Sequence, residues 1–289
     1  MKAIVFGEII WDIYSEEKVI GGAPFNFSAH LSHLGSEAYL ISAVGEDDLG
    51  RDALTEMNRH GIRADLMQTV SHPTGCCMVT LNEEKVPTFN VLSDVAYDHI
   101  PLSDTLLDRI DGIGADVFYF NTLIQRHEAS RATLKTILEA HDFPEIFCDV
   151  NLRPNCFDKE SLLLCLNHTT ILKISDEEAH FLTDLGLISA ADAEKSLPQA
   201  IVKAFPNIRL VVHTLGKKGS EVYDAKAKKL YSSGTPKAVE VVSTVGAGDC
   251  FGATFLHHYL TGASIPEAIR QATERSNIVV SHREAVPFS

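Results

Sequence analysis

A single acid, Asp249, stands among small residues in the stretch STVGAGDCFGATFLHHYL at 243–260, directly ahead of an apolar, aromatic run. In Gly246-Ala247-Gly248 the two glycines open backbone conformations closed to other residues and let a ligand approach the chain. Phe251, Phe255, Leu256, Tyr259 and Leu260 follow at i, i+4, i+5, i+8 and i+9, which is one side of a helix. The glycines therefore sit at a helix entrance, where the first N–H groups lack internal partners and the positive end of the dipole favours anions. Asp249 has two readings there. A carboxylate in a first helical turn gains about 0.3–1 kcal/mol from the dipole and can serve as a cap. Alternatively it stands beside an anion seat and takes the proton of a hydroxyl that attacks phosphorus, a reaction governed by positioning and charge stabilisation. The Walker pattern G-x-x-x-x-G-K-[ST] is absent, and Gly252 falls one residue late for G-x-G-x-x-G, so neither a P-loop enzyme nor a standard Rossmann dehydrogenase fits.

Composition narrows the ligand. The 289 residues carry a net charge of −14 with no Lys/Arg cluster, which disfavours nucleic acid and anionic membranes as partners. A phosphate compound must then be held by local geometry. Six scattered cysteines lack metal spacing, and Cys76–Cys77 is a vicinal pair, so reduced thiols in a cytoplasmic protein are expected. The stretch MKAIVFGEIIWD is too short in its apolar run, and too soon interrupted by Glu8, for a signal peptide or membrane span.

The elements that must position Asp249 alternate along the chain. KAIVF, AYLISAV, DVFYF, EIFCDV, TILKIS and IRLVVHT read as strands covered on both faces. Helical patterns lie between them at Phe25–Leu34, Leu49–His60, Ala129–His141, Asp176–Leu185 and Asp192–Phe205. This alternation predicts an α/β fold with a parallel or mostly parallel sheet and helices on both sides. From 65 to 91, three short β-type runs separated by turn signals at His72–Gly75 and Asn82–Lys85 predict a small antiparallel flap in place of a helix. One domain with a lid accounts for the chain. Phe89 and Tyr97, the aromatic residues near that lid, are expected in core packing.

TVGAGDCFGATF resembles the carboxyl-terminal signature of the ribokinase-like (PfkB) carbohydrate kinases, and IGGAPFNFSAHLSHLG at 20–35 resembles their amino-terminal one. GEIIWD, DVNLRP at 149–154, KISDEEAHFL at 173–182 and HTLGKKGS at 213–220 extend the resemblance over essentially the whole chain. It implies a three-layer α/β/α domain with a β lid built from about 65–91 and the segment near 10–20, and lids that pair between subunits in a possible homodimer. By the same resemblance Asp249 is the catalytic base, and the backbone of Gly246, Ala247 and Gly248 forms the anion hole. Asp12, Gly21, Gly22 and Asn26 would hold the sugar. Arg153 would meet an acidic substrate or phosphate oxygens, or form a structural salt bridge to Asp149. Lys173, Ser175, Thr214, Gly216, Gly219 and Asn277 would serve ATP, and Glu178 would serve Mg2+. Three positions depart from the family pattern: Ser175 replaces Asn in N-x-x-E, Ser243 replaces Asp, and Glu284 replaces a late glycine. The last two make a bound monovalent cation doubtful. Together these features are most like the bacterial fructokinases, with 2-keto-3-deoxygluconate kinase and ribokinase as alternatives and a non-catalytic sugar-binding regulator as a different class.

Overall fold

The computed structural model describes residues 1–15, 17–81, 87–236 and 238–288. In chain order the strands are β1 (Lys2–Phe6), β2 (Ile10–Ile13), β3 (Lys18–Gly21), β4 (Glu37–Ile41), β5 (Ala43–Gly45), β6 (Gln68–Val70), β7 (Cys76–Leu81), β8 (Pro87–Val91), β9 (Val117–Asn121), β10 (Glu145–Asp149), β11 (Ile171–Ser175), β12 (Leu210–Thr214), β13 (Ser220–Asp224) and β14 (Lys229–Ser232). The α-helices are α1 (Ala23–His33), α2 (Asp48–Arg59), α3 (Asp104–Ile113), α4 (Glu128–Ala140), α5 (Lys159–His168), α6 (Ala179–Asp184), α7 (Ala190–Ala193), α8 (Leu197–Ala204), α9 (Ala247–Leu260) and α10 (Ile265–Val280).

The apolar runs assemble into an eight-stranded sheet in the order β14-β13-β12-β11-β10-β9-β1-β4. It is parallel from β4 to β12 and antiparallel at β13 and β14. Successive side chains of a strand point to opposite faces, and the core divides accordingly. Ile4, Phe6, Phe118 and Phe120 join one cluster with Leu106, Leu134, Ile137, Leu162 and Ile201 from α3, α4, α5 and α8. Ala3, Val5, Val117 and Tyr119 join the other with Phe27, Leu31, Phe255, Leu256 and Ile269 from α1, α9 and α10. The result is a three-layer α/β/α fold. Among the described residues no helix is long and apolar enough to cross a membrane.

A second sheet, β3-β2-β7-β8, forms the lid. Both outer pairings are antiparallel, while β2 and β7 run parallel because they come from segments entering the lid in the same sense. The expected flap of three runs within 65–91 is corrected in one respect: β6 leaves it and pairs with β5 in a separate two-stranded sheet. The run AYLISAV is divided at Ser42, so that β4 serves the large sheet and β5 the small one. The helix expected over Asp192–Phe205 is two helices, since Pro198 favours a new helical start in the first turn of α8. The pattern expected to be helical from Asp176 is helical only over α6. Tyr97 is fully buried in the core, as expected; the Phe89 side chain and the Asn82–Lys85 turn lie outside the described residues. All six cysteines are free thiols.

One aromatic stack couples the sheet to the helices that carry the two glycine-rich segments. The Phe27 ring on α1 lies 4.1 Å from that of Tyr119 and 5.5 Å from that of Phe147. Gly252 on α9 meets the same stack: a Cβ there would lie 3.4 Å from Phe147 and 3.5 Å from Phe27. Phe27→Ala should destabilise the fold by roughly 3–5 kcal/mol in urea unfolding; a loss under about 1 kcal/mol would show that the stack does not carry this interface.

Candidate active site

Each parallel strand near the middle of the sheet delivers a polar residue at its carboxyl end: Glu8 just after β1, Asn121 on β9, Asp149 on β10, Ser175 on β11 and Thr214 on β12. The chain runs from β1 to β4 on one side and later returns to place β9 on the other. The crevice between β1 and β9 is thus a switch point, where ligands of open α/β sheets collect.

Gly246 begins α9 at φ 79°, and a Cβ on it would lie 2.5 Å from Ala285 Cβ, so neither the backbone nor the space admits a side chain. No side chain caps α9, whose next residues Ala247 and Gly248 border a cleft of about 950 Å³. First-turn N–H groups are therefore presented to that cleft with no side-chain acceptor. Asp249 turns the other way and accepts a 2.8 Å hydrogen bond from Asn26 Nδ2 on α1, 223 residues distant in sequence. Burial raises the Asp249 carboxyl above its ordinary range, while Asn26, Lys173 and Arg153 oppose the rise.

A cation lies beneath the uncapped entrance of α9. Lys173 Nζ is 2.7 Å from Asp149 Oδ2, both side chains are buried, and a Cβ on Gly248 would lie 3.4 Å from the same ammonium. Burial pulls the Lys173 ammonium down, but Asp149 and Glu178 outweigh it and hold the group above its usual range. Lys173 thus sits under the α9 entrance and is not among the cleft-lining residues. It also takes the place considered for Arg153: the Asp149 partner is Lys173, while Arg153 is exposed and donates to its neighbour Leu152 O at 3.2 Å.

The cleft brings together Ser175, Thr214, Gly216, Gly219 and Asn277 with Ala247 and Gly248. Gly219 is held at φ 104° with a Cβ position only 2.1 Å from Gly234 O, so the loop needs glycine there. Glu178 does not line the cleft; it is fixed at its side, accepting from Leu152 N at 2.6 Å and from Ser175 N and Oγ at 2.9 and 2.8 Å. The Ser175 hydroxyl therefore supplies a local anchor where the family pattern has an amide. Asp149 Oδ1 is buried without a partner, and a carboxylate oxygen of this kind suits magnesium and its retained waters. Ser243 accepts from Val245 N at 3.2 Å, and Glu284 is exposed.

On the lid side, Asp12 of β2 is paired in register with Cys77 of β7, and its Oδ2 lies 3.8 Å from a Cβ position on Gly21. Burial pushes the Asp12 carboxyl up to about 6, against the Cys77 thiol and Arg153. Gly22, at φ 100°, would place a Cβ 2.7 Å from Glu8 O. Glu8 itself is a residue that motif reading passed over. It accepts from Ala23 N at 3.2 Å and from Asn121 Nδ2 at 3.0 Å on each oxygen, bridging the switch point and the start of α1. Its signal was an acid directly after a buried strand.

Burial pushes the Glu8 carboxyl from 4.5 up to about 7, with its hydrogen bonds opposing. The folded state therefore holds this proton more tightly than the unfolded chain, so the associated stability is complete below about pH 4.5 and disappears as pH rises through about 7. Glu8→Gln should flatten the decline of stability over that window by about 3 kcal/mol relative to the unsubstituted protein, as followed by urea unfolding across pH; identical slopes would exclude Glu8 as its source.

The chain is similar to known proteins in sequence and in fold. The chain is 25% identical over 286 residues to an ATP-dependent 6-phosphofructokinase of Thermoanaerobacterium thermosaccharolyticum, covering 92% of this chain and 84% of the relative. It is 28% identical over 286 residues to probable fructokinase-4 of Arabidopsis thaliana, covering 93% and 84%. Its fold matches that of a sugar kinase of Pyrococcus horikoshii in complex with ATP at a TM-score of 0.81, with 24% identity and coverage of 98% and 94%. The model for the pfkB family of carbohydrate kinases matches residues 3–288, so with its two glycine-rich signatures joined at Asn26 and Asp249 the chain belongs to that family.

Proposed function

We propose that this carbohydrate kinase transfers the γ-phosphoryl group of ATP to a primary hydroxyl of a small sugar, with fructose as the first choice of acceptor. The observation that carries the reading is the convergence of the Asn26-bound Asp249 carboxylate, the uncapped entrance of α9 and the buried Lys173 ammonium. The sugar lies under the lid against Asp12, Gly21, Gly22 and Asn26, and the nucleotide lies along the cleft bordered by Thr214, Gly216, Gly219 and Asn277. Asp249 receives the hydroxyl proton as the new oxygen–phosphorus bond forms and the bond to ADP breaks. Amides at Ala247 and Gly248, with Lys173 beneath, stabilise the charge that develops on the transferring group. Magnesium, when held through Glu178 and Asp149, supplies neutralisation of the phosphate charge. Lid closure excludes water and limits hydrolysis of ATP in the absence of sugar. A homodimer formed through the lid goes with this reading, since β3 and β8 each have one unpaired edge among the described residues.

A second reading of the acceptor rests on Arg153, whose charge acts on Glu8, Asp12 and Asp249 together while its side chain has no carboxylate partner among the described residues. A cation so placed suits an anionic acceptor such as 2-keto-3-deoxygluconate or a sugar phosphate.

Asp249→Asn should lower kcat by about 10²–10⁴-fold and leave sugar affinity nearly unchanged, measured by coupled ADP release and by calorimetry with sugar alone. If the unsubstituted protein releases no ADP with any sugar that it binds, the non-catalytic regulator is the correct class. An ADP-release screen of fructose, fructose 6-phosphate, 2-keto-3-deoxygluconate, ribose and nucleosides separates the acceptors. With fructose, Arg153→Ala should change kcat/KM by under about 10-fold; with an anionic acceptor it should cost about 2–5 kcal/mol, and an activity confined to anionic sugars would displace fructose.

A further inference from the structure

Away from the cleft, the fold gathers two imidazoles and a carboxylate at one point. His72 Nε2 and His99 Nε2 face the same atom, Asp94 Oδ1, at 3.8 and 2.7 Å. The two rings stack 3.6 Å apart and 9° from parallel. One donor atom from each of the three residues lies within 4.8 Å of the others. None of the three takes part in the chemistry described above.

Their position in the chain is specific. His72 precedes β7 and Asp94 follows β8, so these two residues stand at the two roots of the lid hairpin, and His99 closes the short 3-10 turn Ala96–His99 behind them. Backbone contacts fix the roots independently of any ion: Ala96 N donates to Pro73 O at 2.7 Å, and Asp94 is held at φ 59°. A bidentate bond from Arg126 to Asp98, 2.7 Å at each oxygen, anchors the same turn. All three side chains reach solvent, so an ion has access.

A single Asp–His pair would account for one imidazole but not for the second one stacked on it. A neutral imidazole offers one ring-nitrogen lone pair to an ion. Two imidazoles and an ionised carboxylate form the donor set of a zinc-type ion, with a fourth position left for water. Magnesium and calcium prefer oxygen donors throughout and do not suit this set.

We propose that His72, Asp94 and His99 bind one divalent transition-metal ion of the zinc type, which ties the two roots of the lid hairpin together. Since β7 of that hairpin pairs with β2 at Asp12, a stiffened root acts directly on the strand that borders the sugar side.

The test uses the full chain, stripped with a chelator, without nucleotide or sugar. Titration with cobalt(II) should yield one equivalent with the intense visible absorption of a four-coordinate site, displaced by zinc. His72→Gln/His99→Gln should weaken this binding by at least the roughly 10–100-fold that even outer partners of metal ligands contribute. His33→Gln should leave it unchanged, which controls for a histidine pair away from the lid, His33 with His60 at 3.3 Å. Zinc should also slow amide hydrogen exchange in β7 and β8 of the unsubstituted protein but not of the double variant. Equal cobalt spectra and affinities in the two proteins, or no stoichiometric binding, would overturn the site; binding without slowed exchange would overturn the tie. Should the double variant fail to fold, Asp94→Asn is judged by the same titration and the same outcomes. None of these readouts depends on phosphoryl transfer.

Discussion

Everything in this molecule answers to one electrostatic constraint: in an acidic chain of net charge −14, the proposed reaction sets a polyphosphate next to the chain's own carboxylates. A general positive field is not available, so attraction has to be local and directional. The uncapped entrance of α9 supplies oriented N–H groups, and the Lys173 ammonium supplies one full charge under them. Lys173 can remain charged while buried because Asp149 lies 2.7 Å away, and the pair is tolerable only where both partners keep their bonds. The small residues around Asp249 follow from the same need. A side chain on Gly248 would crowd that ammonium, and one on Gly246 would strike Ala285.

The sheet converts this local arrangement into a site with two sides. Because β1 and β9 are neighbours whose connections leave in opposite directions, their carboxyl ends open a crevice, and Glu8 and Asn121 close its floor with two hydrogen bonds. The floor also receives the first N–H of α1, which fixes the helix that carries Asn26. Glu8 therefore acts at a distance of one helical turn on the residue that orients Asp249. Burying a carboxylate there is tolerable because it is hydrogen-bonded on both oxygens and because its proton affinity is raised by the same burial.

The lid shows the complementary principle. Its strands come from two segments, and the hairpin β7–β8 joins the amino-terminal β2 through a parallel pairing. Asp12 and Cys77 face each other across that pairing, so the lid side of the site depends on contacts between distant parts of the chain. The roots of the hairpin are fixed by backbone bonds and by the Arg126–Asp98 pair, which gives the lid a defined base.

The alternation of apolar strands and helices and the two glycine-rich segments were legible in the amino-acid sequence, because periodicity and backbone permissiveness are local properties, whereas Asn26 and Asp12 were singled out only by the family resemblance. The covering of both sheet faces was legible too, from runs with no polar gap. Other features were not. Nothing local distinguishes β6 from a lid strand, since pairing partners decide where a short apolar run goes, and it pairs with β5. Glu8 looked like an interruption of an apolar stretch, and only the return of β9 beside β1 made it the floor of a crevice. Arg153 was the residue expected to bridge to Asp149; the parallel register of β10 with β11 instead puts Lys173, expected to serve ATP, directly opposite Asp149 and leaves Arg153 in the loop beyond. The residue types and their permitted backbone shapes thus belong to the sequence alone. Which charge meets which was decided by strand register and topology, because a Coulomb interaction depends on spatial separation that the chain acquires only on folding.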